Sequence, residues 1–229
     1  MIRREGREVT TLTIDVPASR NALGSAALGE LAAGLTEAGA DPAVRIVVIT
    51  ATGTVFSSGA DRSELDDAAA MARIVDRLAT VLTLIAELPQ PVVCRVNGDA
   101  YGAGLAVLAA ADLALTVRRA RFALPEVRFG LVPTLAAAVC VPRIGLTAAL
   151  DLMLTGRTVG GAEAAALGLV AAAADDDVAL DEVMAARLQE LLAADPEALR
   201  RTKALIRQRT GQGAPLINTG VDQRDSAMG

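Results

Sequence analysis

The 229-residue chain contains no histidine and no tryptophan, and aromatic residues make up only 2% of it. Without imidazole, Ser-His-Asp and Cys-His nucleophile systems are excluded, as are the usual histidine-bearing zinc sites. Cysteine is nearly absent too. Cys94 and Cys140 lie far apart, each within an apolar segment, which excludes a CxxC redox pair and a thiolate metal site and reads as two core residues. Catalysis is left to carboxylates, Lys, Arg, Tyr, hydroxyls or the backbone. With 52% hydrophobic residues and so few rings, Ala, Val and Leu must fill the core, and helices must pack closely. Basic excess is also missing: a net charge of −5 and a pI near 4.9 argue against a nucleic-acid or anionic-membrane surface. The cationic run Arg200, Arg201, Lys203, Arg207 and Arg209 reads as a solvated helix face. No apolar run follows the opening MIRREGREVTT, and no stretch reaches the roughly 20 uncharged apolar residues that span a bilayer. A soluble, cytoplasmic protein is expected.

What is present alternates between strand and helix patterns. EVTTLTIDV alternates as a strand, residues 24–38 have helical spacing, and VRIVVIT is apolar on both faces, as in a buried parallel strand. Residues 63–88 read as a helix stopped by Pro89 and Pro91. VVCRV and LALTV read as further strands, the latter followed by the loop RFALPEVRFGLVP and the helix-like TLAAAVCV. This succession predicts a parallel α/β architecture with both sheet faces covered. The last third is helical. ADDD at residues 174–177 marks the turn into it, and Asp195, Pro196 and Glu197 start a well-capped helix. The division expected is a core over residues 1–176 and a short helical region over 177–229, loosening after Thr210.

Three loops follow strands: FSSGAD, NGDAYGAG and ALPEVRFG. Gly102 and Gly104 open a glycine fingerprint, but Val107 replaces its third glycine. Ala120, Arg121 and Phe122 stand where an acidic ribose partner belongs, which disfavours a dinucleotide fold. Two small-residue loops offering N–H donors beside one carboxylate, Glu126, suit enolate chemistry instead: donors hold a thioester oxyanion while the carboxylate moves a proton at the neighbouring carbon. On the residues alone, Asp61 and Asp112 brace turns, Arg62 and Arg128 are structural or solvent-facing, and Tyr101 lines a pocket or fills space.

The ordered pieces RNAL, IVVITATGTVFSSGADRSEL, PVVCRVNGDAYGAGLAVLAAADLAL, ARFALPEVRFGLVP, LTGRTVGGAEAAALGLV and RRTKALI together resemble the crotonase superfamily of enoyl-CoA hydratases and isomerases. The resemblance implies a spiral of ββα units with C-terminal helices that build trimers or dimers of trimers. It implies an acyl-CoA thioester as substrate, with coenzyme A entering only as part of it and no metal. The N–H groups of Ala60 and Ala103 would form the oxyanion hole, and Glu126 would carry the proton. The acyl-CoA would be bound by Arg20, Ala22, Leu23, Ser58, Asp61, Arg62, Tyr101, Gly102 and Phe129, with Arg20 facing a CoA phosphate or merely solvated. Two departures stand out. Hydratases of the family carry a second glutamate where this chain has Ala106, which favours an isomerase-like proton shuttle over hydration. Hydration or decarboxylation with a displaced carboxylate (Glu64, Asp66, Asp67 or Asp99) and a non-catalytic acyl-CoA binder are the alternatives. The chain is also short after Lys203, where relatives carry further helices over the acyl end.

Overall fold

The structure, a computed structural model, describes residues 2–210; the expected loose tail lies outside them. In chain order the elements are β1 (Ile2–Glu5), β2 (Val9–Ile14), α1 (Ser25–Ala40), β3 (Ile46–Ala51), β4 (Val55–Ser57), α2 (Ala68–Glu87), β5 (Val92–Val96), β6 (Asp99–Tyr101), α3 (Ala103–Ala110), β7 (Leu113–Val117), β8 (Arg121–Ala123), α4 (Thr134–Thr155), β9 (Val159–Gly160), α5 (Gly161–Ala166), β10 (Ala172–Ala174), α6 (Asp177–Ala193) and α7 (Pro196–Arg209). Short 3-10 turns cover Pro17–Ser19, Arg62–Glu64 and Glu126–Phe129.

Two sheets form. The larger runs β1-β2-β3-β5-β7-β10 and is parallel except at β1; the smaller runs β4-β6-β8-β9 and is parallel except at β9. The pairs β3/β4, β5/β6 and β7/β8 each send their first strand to the larger sheet and their second to the smaller, and each pair is followed by a helix. That is the ββα spiral implied by the resemblance. The long strands are legible from β-branched runs buried on both faces: Ile46, Val47, Val48 and Ile49 are all within the core. The smaller sheet was read as loop, because three-residue strands are too short to display a period. The three candidate loops thus leave the short strands of the second sheet, not the long strands named from sequence.

α3 sits at the centre. All eight of its residues are buried, so it is apolar all round rather than amphipathic. Gly104 lets it lie against β4, since a Cβ there would come within 2.5 Å of Ser57 Cβ. The helix read as starting at Ser63 begins at Ala68 instead: Asp67 accepts from Ala69 N and caps it, with the separate 3-10 turn before. By length and hydropathy α4 is apolar enough to cross a membrane. It is bent at Gly145, however, and Arg143 ties it to the core by donating to Leu169 O, Ala109 O and Ala111 O.

The C-terminal cations require a correction. Lys203 and Arg207 do not sit on a solvated face: their side chains are 8% and 10% exposed, and both meet Asp112, at 2.7 and 2.8 Å. Lys203 also donates to Ile85 O and Gln90 O, while Arg207 donates to Ala110 O. Asp112 accepts from Val92 N as well, so the expected turn brace is also the anchor of α7. Cys94 and Cys140 are buried, and burial pushes both thiols up to about 12, leaving them inert core residues.

Candidate active site

Parallel pairing puts the ends of β4, β6 and β8 side by side, with Ser57 opposite Ala100 and Tyr101 opposite Ala123. Each strand is followed within three residues by a candidate group: Ala60, Ala103 and Glu126. Leu23 forms a parallel bridge to Ala60, with Leu23 N donating to Gly59 O and Asp61 N to Leu23 O. Those bonds use the groups flanking Ala60, so its own N–H points to the opposite side. Ala103 is the first residue of α3, where an N–H has no acceptor within the helix and lies at the positive end of the helix dipole. The two loops touch: a Cβ on Gly59 would lie 3.0 Å from Tyr101 O and 3.9 Å from Ala103 N.

Glu126 completes the arrangement. A Cβ on Gly102 would lie 3.1 Å from Glu126 Oε1, so a glycine at this turn, with φ of +49°, keeps the carboxylate against the start of α3. Glu126 Oε2 is buried without a hydrogen-bond partner among the described residues. Burial holds the carboxyl above the ordinary glutamate range, as suits a base working near neutrality. Phe122 and Leu124, just before it in the chain, are fully buried, whereas Phe129, three residues after it, is 59% exposed and lies beneath Arg62.

Three of the four rival carboxylates, Glu64, Asp67 and Asp99, are engaged elsewhere. Glu64 Oε1 accepts from Ser25 N at the start of α1. Asp67 caps α2, and Asp61 accepts from both the N–H and the hydroxyl of Ser63. Asp99 accepts from Arg121 N and from the Tyr101 hydroxyl. Asp66 is exposed, and Ala106 is 1% exposed within α3. Among the described residues no cluster of three His, Cys, Asp or Glu is placed to hold a metal.

The remaining candidates lie on or beside these loops. Arg20 is exposed at φ of +56°, its carbonyl accepting from Ser58 N. Burial raises the Tyr101 hydroxyl pKa, Asp99 adds to this, and the charges of Arg20 and Arg121 oppose it. Ala22 and Ser58 are half-buried, and Leu23 is fully buried. The sequence reading missed the role of Asn21. Buried at φ of +56°, it accepts from Val16 N and donates to Thr52 O and Val55 O, pinning the loop of Arg20 to the entry of β4. Its tolerance of the left-handed region was the available signal.

The profile of the enoyl-CoA hydratase/isomerase family matches residues 4–218 of this chain. The chain belongs to that family. A Thermus thermophilus relative is 35% identical over 218 residues, covering 93% of this chain and 86% of its own. The Escherichia coli 2,3-dehydroadipyl-CoA hydratase is 30% identical, covering 91% and 81% respectively. Among solved structures, Pseudomonas aeruginosa AtuE superposes with a TM-score of 0.86 at 33% identity, over 90% of this chain and 82% of that one. The fold is therefore that of the crotonase superfamily, and this family member is an acyl-CoA enzyme.

Proposed function

We propose that the protein is a 3,2-enoyl-CoA isomerase-like enzyme that moves one proton with one carboxylate. Glu126 takes a proton from C2 of a 3-enoyl-CoA. The C2–H electron pair passes into a dienolate whose oxygen is held by the N–H groups of Ala60 and Ala103. Glu126 returns the proton at C4, leaving the conjugated 2-enoyl-CoA. Arg20, Ala22, Leu23, Ser58, Asp61, Tyr101 and Gly102 are proposed to line the path of the thioester and its CoA. No cofactor is needed beyond the coenzyme A of the substrate, and no sorting away from the cytoplasm is proposed.

The observation that carries this reading is the lone carboxylate: among the described residues Glu126 is the one carboxylate with a buried, unpartnered oxygen, and it lies against Gly102 at the start of α3. A binder without turnover has no use for such a group. Hydration is favoured by the names of several relatives, but it needs a second carboxylate to grip water, and that position is Ala106. The purified protein should therefore convert 3-hexenoyl-CoA much faster than it hydrates crotonyl-CoA. Ala106→Glu should raise hydration, limited by the cost of placing a charge where a methyl group is packed. Rapid hydration of crotonyl-CoA by the unaltered protein would overturn the isomerase reading.

Assembly into a trimer or a dimer of trimers is proposed on different ground from that expected. The apolar faces of α6 and α7 are only partly open, through Val178, Leu205 and Ile206. Beyond its bend, α4 carries Leu146, Leu150 and Leu154 on one face, at 62%, 46% and 70% exposure, a stripe that calls for cover. Light scattering should report a multiple of three; a stable monomer at micromolar concentration would refute it.

A further inference from the structure

Arg62 stands on the loop of the oxyanion donor, two residues past Ala60. Its guanidinium lies over the ring of Phe129, 5.1 Å from the centroid, and Phe129 is three residues past Glu126. The pair therefore bridges the loop that would hold the thioester oxygen and the turn that would carry the base. Stacking of this kind fixes the plane of the guanidinium and leaves its edge N–H donors pointing outward. Those donors have no carboxylate or carbonyl acceptor among the described residues, whereas Arg95, Arg118, Arg119 and Arg157 each hold an aspartate. The acids beside Arg62 in sequence are turned away from it: Asp61 binds Ser63, and Glu64 binds Ser25 N. An oriented cation with its fork unused, set between the loop of Ala60 and the turn of Glu126, matches a carboxylate arriving on the substrate.

We infer that Arg62 is a specificity residue that receives an anionic group at the far end of the acyl chain, so that the preferred substrates are thioesters of dicarboxylic acids. This rests on the acyl-CoA reading of the site. The same guanidinium could meet an anion from a second source, the phosphates of CoA, and the test separates the two. Binding of adipoyl-CoA, hexanoyl-CoA and free CoA is measured by calorimetry on the unaltered protein, Arg62→Met and Arg62→Lys. Methionine keeps a side chain able to lie on Phe129 but removes the charge. Arg62→Met should weaken adipoyl-CoA about tenfold, the scale of one charge-assisted hydrogen bond, and leave hexanoyl-CoA and CoA unchanged. Arg62→Lys should fall between. Equal weakening of all three ligands would assign the guanidinium to a CoA phosphate, and no weakening would make it a solvated arginine; either result overturns the inference. Failure of the underlying reading would look different: the unaltered protein would place no deuterium at C2 of either thioester in heavy water.

Discussion

Glu126→Gln should lower isomerisation and C2 deuterium exchange by about 10² to 10⁴, the span supplied by a positioned acid-base group, while thioesters still bind. The amide keeps the shape against Gly102 but accepts no proton. The same substitution should raise the thermal midpoint at neutral pH. Burial raises the folded-state pKa of Glu126 above its unfolded value. Its contribution to stability is thus fully present below the unfolded pKa and is lost as pH rises through the folded pKa. At neutrality the native protein holds a carboxylate whose Oε2 has no partner, a cost that glutamine avoids. The stability gap between variant and parent should therefore close as the pH is lowered. The rate of the parent should fall on the acid side at a pH above the ordinary glutamate range, because only the ionised form can accept the proton. Unchanged turnover in the variant, or a lower melting temperature at neutral pH, would contradict this account.

The second large effect is expected at Asp112, where Asp112→Ala should cost about 3–5 kcal/mol by leaving buried cations uncompensated. For a chain of this size that corresponds to a fall in Tm of roughly 6–20 °C. Lys203 shows why the carboxylate matters: burial depresses its pKa and Asp112 opposes that depression. Arg201→Ala on the same helix is the control, since Arg201 is 80% exposed in its pair with Glu197; such pairs contribute only about 0–1 kcal/mol. Urea unfolding of the two variants should separate them clearly. Equal stabilities would mean that the Asp112 cluster adds nothing to the fold.

These two sites mark the range of what the sequence disclosed. Ala60, Ala103 and Glu126 could be named as candidates because each sits in a short small-residue or proline-bearing loop, and the structure sets those loops side by side; the long strands were legible because Ile46 to Ile49 and their kin are buried on both faces. The second sheet was hidden, since Val55–Ser57, Asp99–Tyr101 and Arg121–Ala123 carry three residues each and the bonds that define them come from chain far away. Lys203 and Arg207 were misread for a related reason. A local pattern of cations on a helix resembles a solvated face, and nothing near them announces that Asp112 waits 91 and 95 positions earlier. Asn21 fell between the two cases: its residue type hinted at a left-handed turn, but its partners Thr52 and Val55 follow some 31 and 34 residues later.

The anchoring of Asp112 by α7 also has a bearing on the order in which the molecule is made. At about 5–20 residues per second, the ribosome adds the 95 residues between Asp112 and Arg207 in roughly 5–20 s. From the start of that interval β5 and α3 are already synthesised and β7 follows at once, yet the aspartate between α3 and β7 lacks both of its cations until Lys203 and Arg207 are added. The nascent core must wait, with that carboxylate hydrated, until nearly the whole described chain has been translated. Premature termination before Lys203 would release a product that contains every residue assigned to the chemistry and yet leaves Asp112 without either of its cations.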